Sequence, residues 1–282
     1  MSPTEAAGLA ARDPEVQGRP AAAVRRRPGP RQLTSTARRL VGAASILLFL
    51  VSWELAGRLG AVNPRTVSSP SAVARELPWL VTGGLGQDYR VTALAVAVAF
   101  VGSLVVGSFL GVASGRHAPT RWGMDPIVTL GYTTPLVAFV PIVVLFLGLG
   151  VPAKIVAGFV GGVFPVIVNV EAGARTVDPV LLRAARSFGV TGLRRVCTVL
   201  LPSTAPFVLV GARIALGRVL IGVIITEMIG GSQYGVGLLL IRLGQGFQAD
   251  RLMALVLLVG LAGTTVIGII RRLEARILRW RP

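Results

Sequence analysis

The chain has 282 residues, of which 53% are hydrophobic and only 15% are charged, and its mean hydropathy is +0.72. A soluble domain of this size is normally about one quarter charged, so the composition excludes an ordinary soluble protein. The formal net charge of +17 is of the kind that nucleic-acid binders carry. Here the basic residues cluster in short segments beside long apolar runs, without interleaved aromatic residues. We therefore expect no nucleic-acid partner, and we expect the chain to be embedded in the lipid bilayer.

The chain divides into a short tail and a membrane domain. Residues 1–36 are rich in Pro, Ala and Arg, and we predict a disordered basic tail on the cytoplasmic side. Residues 37–282 are predicted to form a transmembrane domain, because uncharged apolar runs of 18 or more residues are typical of membrane-spanning helices. The six predicted spans cover roughly Leu40–Gly57, Val91–Gly115, Pro126–Ala153, Ile155–Val170, Ala205–Ile229 and Leu252–Ile270.

The connections on the outer side are short or partly apolar. A short amphipathic helix is expected at about Ala72–Val81, and the apolar stretch Val236–Ile241 is expected to form a re-entrant or surface helix. A tight outer turn is expected to end at Lys154. Within the second span, Gly107 begins a ridge of glycines spaced four apart, which favours close approach of a neighbouring helix.

The distribution of basic residues predicts the orientation of the spans. Six spans place both termini on one side of the membrane. With the N-terminal tail inside, the inner segments hold 20 of the 29 Lys and Arg residues and the outer segments hold 7. Cytoplasmic loops of membrane proteins carry such an excess of positive charge. We therefore expect both termini and the segment 178–202 to face the cytoplasm.

The segment 178–202, called the elbow below, interrupts the apolar runs with a basic, amphipathic sequence. Asp178 is expected to cap a helix that begins with Pro179, where a missing N–H costs nothing. Gly189 suits the left-handed residue that ends this helix. A second short helix is expected to follow, and Pro202 would stop it. Such an elbow between two membrane spans indicates a docking piece.

The elbow resembles the EAA loop that marks the permease subunits of binding-protein-dependent ABC importers. That loop reads Glu-Ala-Ala, three residues, Gly, nine residues, Ile-x-Leu-Pro. The positions that match here are Ala184, Ala185, Gly189, Leu201 and Pro202. Arg183 stands where the family has Glu, which removes an acidic charge, and Val199 stands where it has Ile.

Further motifs over about residues 50–275 resemble the sulfonate/nitrate/taurine subgroup of these permeases. They are Trp53-Glu54-Leu55, the run from Ser68 to Val73, Pro135 with Val140-Pro141, Phe146-x-Gly148-x-Gly150, and Gly211-x-Arg213-x-Ala215-x-Gly217 with Glu227. The resemblance implies an all-α membrane protein of about six transmembrane helices, with the type I ABC importer permease fold and a cytoplasmic coupling helix. It also implies a multi-pass protein of the bacterial plasma (inner) membrane.

The same resemblance implies how the parts work together. The elbow would sit as a coupling helix in a groove on a cytoplasmic ATP-binding subunit, and a loaded solute-binding protein would dock on the outer face. A second permease copy, in a homodimer, would complete the path, and ATP and Mg would be held by the partner ATPase rather than by this chain. The residues assigned to the coupling contact are Leu181, Leu182, Arg183, Ala184, Ala185, Phe188, Gly189, Leu201 and Pro202.

The sequence offers no means of hydrolysing ATP. A phosphate-binding loop of the Walker type reads Gly-x-x-x-x-Gly-Lys-Ser/Thr, whereas Lys154, the only lysine, follows Ala153. No catalytic triad and no group of metal ligands is recognised in the sequence. The chain is therefore predicted to be a permease subunit rather than an enzyme, powered by a separate polypeptide.

The fifth span carries charges at membrane depth, where they are costly and mark functional sites. Arg213 lies near the cytoplasmic end and could snorkel, and Glu227 lies near the outer end. Arg218 lies deepest, and we expect it to make a polar interior contact or to bind an anionic substrate. A bridge to another span or subunit is the structural alternative. All three are candidates for the translocation path.

Other functions remain open at this stage. An ion-coupled secondary transporter would need inward-facing carboxylates in its spans, for which only Glu54 and Glu227 qualify. A membrane scaffold would need neither a path nor an elbow. Among ABC importers, a permease for a pyrimidine-type thiamine precursor is the alternative to one for a small anion of the sulfonate, nitrate or taurine kind.

Overall fold

The computed structural model describes residues 34–60, 63, 66–229 and 233–277, and every regular element among them is helical. The predicted tail therefore lies almost entirely outside the described residues. The helices are α1 (Ser35–Arg58), α2 (Pro70–Thr82), α3 (Gly86–Arg116), α4 (Ala118–Thr133), α5 (Leu136–Leu147), α6 (Val151–Arg175), α7 (Pro179–Ser187), α8 (Gly192–Arg195), a π-helical turn (Val196–Leu200), α9 (Leu201–Ile229), α10 (Val236–Gln245) and α11 (Ala249–Ile277).

The described chain divides into two units at the middle of α1. The first unit ends at Phe49, and its side chains are exposed from Arg39 onward. Its first helical turn is capped by Thr34, whose Oγ1 accepts a hydrogen bond from the amide of Ala37 at 3.3 Å. The second unit begins at Leu50 and holds all the remaining described residues.

Five described helices are long and apolar enough to cross a membrane, and a sixth crossing results if α4 and α5 count as one span. The five are α1 from Arg39, α3, α6, α9 together with the π-helical turn, and α11, and they confirm five of the six predicted spans. The short helices α2 and α10 confirm the elements expected between spans. Apolar composition over this length determines the spans, so their positions follow directly from the sequence.

The third predicted span, Pro126–Ala153, is broken rather than continuous. α4 and α5 meet at an angle of 101°. Thr134, between them, has an extended backbone with φ −68° and ψ 131°, since the ring of the following Pro135 disfavours the helical conformation there. The predicted third span is therefore not one continuous helix, and it counts as a crossing only if the bent pair is taken as one span.

Three helices, α3, α6 and α9, form the core of the second unit. The glycine ridge of α3 packs on α6, with Gly107, Gly111 and Gly115 facing Val166, Val170 and Ala174 in order. The order of these pairs shows that α3 and α6 run parallel. A Cβ atom at Gly111 would lie 2.8 Å from that of Val170, so only glycine permits this approach. The predicted packing role of the ridge is confirmed.

α9 runs antiparallel to α6 and completes the core. Val223 packs against Gly158 near the start of α6, whereas Phe207 packs against Gly173 near its end. The bundle therefore has two ends. The elbow end holds the C-termini of α3 and α6 and the start of α9. The opposite end holds the start of α6, the end of α9 and the segment that leads into α10.

Candidate coupling elbow and intramembrane charges

The first half of the elbow is a well-capped short helix. Asp178 accepts a hydrogen bond from the amide of Val180 at 2.7 Å, and Pro179 occupies the first turn of α7. At the other end, Gly189 has φ +72°, and its amide donates to the carbonyl of Arg186 at 2.9 Å. The amide of the next residue, Val190, donates to a carbonyl five residues back, which completes a Schellman motif. The capping roles expected for Asp178 and Gly189 are confirmed.

The second half of the elbow does not stop at Pro202. The chain passes from α8 through the π-helical turn into α9, whose first residue is Leu201. Pro202 has no N–H with which to pair the carbonyl of Thr198, and the preceding turn widens to the π-helical pattern. The expectation that this proline ends the second helix was wrong, because it lies in the first turn of α9. Leu201 is half-buried there and Pro202 is exposed.

The apolar residues expected on one contact face of α7 divide between two faces. Leu182 is 4% exposed and Ala185 is 9% exposed, and Leu182 packs in the core cluster of the elbow end. Leu181 is 52% exposed and Phe188 is 85% exposed, with Ala184 exposed between them. Leu182 and Ala185 therefore anchor α7 to its own bundle, and Leu181, Ala184 and Phe188 are left on the side that can meet another surface.

The basic residues of α7 lie on its exposed side. Arg183 and Arg186 are both exposed. Arg183, which replaces the acidic residue of the resembling loop, flanks the exposed apolar strip rather than entering the core. The positive charge at this position is therefore presented outward, where any partner of the elbow would meet it.

A buried ion pair lies at the opposite end of the bundle. Lys154 Nζ and Glu227 Oε1 are 3.0 Å apart, and their side chains are 1% and 0% exposed. Lys154 was expected in an outer turn, which is wrong, because α6 begins three residues earlier and carries it into the core. Glu227, expected on the translocation path, lies wholly buried in this pair. An uncompensated charge here would be strongly destabilising, so each residue requires the other.

Further hydrogen bonds complete this network. Glu227 accepts from the hydroxyl of Thr92 at 2.7 Å and from the amide of Gly237 at 2.8 Å. Lys154 donates to the carbonyl oxygen of Tyr234 at 2.7 Å, and Asp88 accepts from the amide of Gly235 at 2.8 Å. The network thus fixes the segment before α10 to α3, α6 and α9. It is termed the buried charge network below.

The two arginines of α9 have different environments. Arg213 Nη2 lies 3.1 Å from a carboxylate oxygen of Glu274 on α11, so it pairs with a neighbouring helix instead of snorkelling. The guanidinium carbon of Arg218 lies 4.4 Å from the ring centre of Tyr132, and its Nη1 donates to the carbonyl of that residue at 3.4 Å. Among the described residues, Arg218 forms no ion pair with a carboxylate.

Lys154 is the buried charged residue that was not predicted from the sequence. It follows the outer turn in the chain and therefore counted as an outer basic residue. A signal was present, because Glu227 lies in an apolar span and needs a cation, and Lys154 is the one lysine beside a span. Choosing it over the nearby arginines required the helix packing.

A cavity of about 760 Å³ lies among α2, α3, α9, α10 and α11. None of the described residues that line it carries a charge, and its walls are formed by side chains such as Phe100, Leu216 and Leu258. It offers an ionic solute no counter-charge. Arg218, by contrast, does not line this cavity.

Comparison with known proteins gives a consistent result. A family model described as the binding-protein-dependent transport system inner membrane component matches residues 103–279. A protein of Escherichia coli named as an aliphatic sulfonates transport permease, SsuC, is 30% identical over 82% of this chain and 88% of its own length. The taurine transport system permease protein TauC of the same organism is 27% identical over 86% and 87%. The bicarbonate transport system permease protein CmpB of Synechococcus elongatus is 25% identical over 85% and 90%.

Solved structures show the same fold. A chain of the MetNI methionine ABC transporter, in an inward-facing conformation, is 23% identical and matches with a TM-score of 0.55, covering 72% of this chain and 96% of that one. The matched family residues include the second half of α3, all of α6 and α9, the elbow and all of α11, so the family assignment covers most of the core described above. The chain belongs to the inner membrane components of binding-protein-dependent transport systems: it is a multi-pass permease subunit of an ABC importer, and the ATPase is a separate subunit.

Proposed function

We propose that this permease imports a small anionic solute as one of two identical copies, with its elbow seated on the cytoplasmic ATPase. An extracytoplasmic binding protein would deliver the solute to the opposite end of the bundle, and both termini would lie in the cytoplasm. The observation that carries the proposal is the exposed apolar strip of α7, formed by Leu181, Ala184 and Phe188, on a helix that the rest of the chain holds firmly.

The strip has the properties of a docking surface. Large apolar side chains grouped on an exposed helix face are typical of protein contacts. Phe188 is 85% exposed, and exposed aromatic side chains of this kind are typical of the centre of such contacts. On the other face, Leu182 packs with Val170 and Leu200. Any displacement of α7 is thereby transmitted to the ends of α6 and α9. ATP binding would drive transport through its different affinity for the two resulting states.

The side of the membrane follows from charge. The elbow end carries the basic loop at Arg116 and Arg121 and the exposed arginines of α7. Positive loops remain in the cytoplasm during membrane insertion. This supports contact between the elbow and a cytoplasmic ATPase.

The names of the relatives support the class of solute. Sulfonates, taurine and bicarbonate each carry an anionic oxygen group, and relatives named for them match more than 80% of the chain. Arg218, which pairs with no carboxylate in the described part of the chain, supplies a positive charge within a predicted span, and such a charge suits an anion better than the neutral pyrimidine considered above.

Cysteine cross-linking tests the elbow contact. The chain has one native cysteine, the exposed Cys197, so the variants are made in a Cys197→Ser background. We expect Phe188→Cys to cross-link to a single cysteine placed in the groove of the co-purified ATPase. Leu182→Cys, the matched control on the opposite face of α7, should remain unlinked. Equal cross-linking at both positions, or an ATPase that co-purifies undiminished with Phe188→Asp, would contradict the proposed contact.

A further inference from the structure

We propose that Arg218, held by Tyr132 at the break between α4 and α5, is the point in the membrane where the translocated anion is bound. The site is completed only when a second permease copy covers the open face of α9. The inference rests on the proposed function and adds to it a named contact and a chemical class of ligand. That class is an oxyanion with at least two equivalent oxygens, such as a sulfonate or a carboxylate.

The position of Arg218 makes its charge costly. It lies about 25 Å along α9 from the first residue and about 16 Å from the last, so it falls within a hydrocarbon layer about 30 Å thick. The other charged residues of this helix, Arg213 and Glu227, each pair with a neighbouring helix. Arg218 has no carboxylate partner among the described residues, and charged residues within membrane spans mark substrate pathways.

The surroundings of Arg218 open outward from the protomer. Ile214 is 41% exposed and Ile221 is 52% exposed, and both lie within about 60° of Arg218 around the helix axis. At the neighbouring Gly217, an added side-chain carbon would meet nothing within 4 Å. A charge at the edge of this face is unsuited to lipid, so we place the face against a second copy with water between them.

The broken span points to the same surface independently. Non-helical backbone at membrane depth is tolerated only where protein buries it or where it lines a water-filled cavity. At the break, Thr133 and Pro135 are exposed and Thr134 is half-buried, so this chain leaves the break partly uncovered. A Cβ atom added to Gly161 of α6 would lie 2.9 Å from the side chain of Leu136, at the start of α5. It would also lie 2.9 Å from the carbonyl oxygen of Arg218. The break and the arginine therefore lie close together beside α6.

The geometry of the guanidinium suits an oxyanion. Stacking on Tyr132, with 4.4 Å from the guanidinium carbon to the ring centre, fixes the plane of the group. Nη1 reaches the carbonyl of Tyr132 at 3.4 Å, and arginine has five N–H donors in all. Donors remain for the paired contact that arginine makes with two oxygens of a sulfonate or carboxylate.

Transport by the whole complex tests the inference. Permease, ATPase and binding protein are reconstituted in liposomes, and uptake is measured with whichever of ethanesulfonate, taurine and bicarbonate the binding protein binds most tightly. We expect Arg218→Gln to reduce uptake about tenfold or more while ATP hydrolysis stimulated by the loaded binding protein stays within about twofold. Arg218→Lys should restore part of the uptake. Arg272→Gln, which removes an exposed arginine near the end of α11, serves as the control for net charge.

Chemical access to the position provides a second measurement. In the Cys197→Ser background, Arg218→Cys should react with a water-soluble, anionic sulfonate-bearing thiol reagent as well as with neutral N-ethylmaleimide. Reaction with the neutral reagent alone would overturn the inference, because the face would then be covered by lipid or protein.

The remaining outcomes separate the two proposals. Absence of ATP-dependent uptake of all three solutes by the unaltered complex would contradict the proposed solute class. Normal uptake by Arg218→Gln would overturn the anion site while leaving the importer intact. If Arg218→Gln lowered the yield of assembled dimer but left uptake per complex unchanged, the arginine would be a bridge between subunits. That outcome would also overturn the proposed anion site.

Discussion

The pair formed by Lys154 and Glu227 shows how the environment of a charged residue determines its role. Both side chains are buried, and the pair is surrounded by hydrogen bonds from Thr92 and from the backbone at Gly237. Removal of one partner leaves a buried charge without compensation and lowers the free energy of unfolding. Removal of both partners lowers it less, because no unpaired charge remains. The pair therefore specifies how α6 and α9 meet rather than offering a site for solute.

We predict that Lys154→Met and Glu227→Gln will each destabilise the permease by roughly 3–5 kcal/mol, and that the double variant will lose less than the sum of the two. The measurement is thermal unfolding of the detergent-solubilised complex, read by size-exclusion chromatography as a double-mutant cycle. Arg251→Gln is the control, because its pair with Glu76 is 40% and 28% exposed and exposed pairs contribute at most about 1 kcal/mol. Additive losses would show that the two charges do not interact.

At the scale of the element, the elbow combines a rigid helix with a fixed turn. The caps at Asp178 and Gly189 define the length of α7, and Leu182 fixes its rotation by burying one face. The exposed strip is therefore presented in one orientation. In the proposed contact with the ATPase, shape and apolar surface would carry the binding, since Arg183 leaves the acidic position of the resembling loop without its charge.

We predict that Gly189→Pro will abolish coupling between ATP hydrolysis and transport while leaving membrane insertion intact. Proline requires φ near −65°, whereas this position has φ +72°, and the substitution also removes the amide that bonds to Arg186. The measurement compares solute uptake with ATP hydrolysis in proteoliposomes, and membrane yield provides the check on insertion. Gly268→Ala, at a helical position where a side-chain carbon meets nothing within 4 Å, is the control. Normal uptake by Gly189→Pro would disprove the role of the turn.

At the scale of the whole molecule, six crossings follow from five continuous helices and one broken pair. The broken pair runs from the elbow end to the opposite end of the bundle. α4 begins where α3 ends, at the elbow end, and α5 ends close in sequence to the start of α6, at the opposite end. Six is an even number of crossings, as the proposed position of both termini in the cytoplasm requires. The buried charge network marks one end of the bundle and the elbow marks the other.

We predict that green fluorescent protein fused to the C-terminus will fluoresce, and that alkaline phosphatase inserted after Gly84 or Gly150 will be active. The first reporter functions only in the cytoplasm and the second only outside it, and basic residues are concentrated at the elbow end. Insertion of the phosphatase after Thr176, beside the elbow, is the matched control and should be inactive. An active phosphatase at that position would reverse the proposed orientation.

Much of the candidate site could be derived from local sequence. Asp178, Pro179 and Gly189 act through backbone geometry within a few residues, so α7 and its ends were predicted correctly. The same local rules misplaced Pro202 because a proline is also accepted in the first turn of a helix. They gave no way to tell that Leu182 is buried and Leu181 exposed, since an amphipathic pattern does not say which neighbour covers which side.

The sequence by itself determined the membrane class, five of the spans and the elbow, because apolar length and capping chemistry act within one segment of chain. Only the tertiary structure decided that Lys154 is buried with Glu227, that the chain breaks at Thr134 between α4 and α5, and that no carboxylate of the described residues pairs with Arg218. These properties depend on which helices pack together, since Lys154 and Glu227 stand 73 positions apart in the sequence. The cost of a buried charge selects its partner by distance in space, and that distance is set by helix packing.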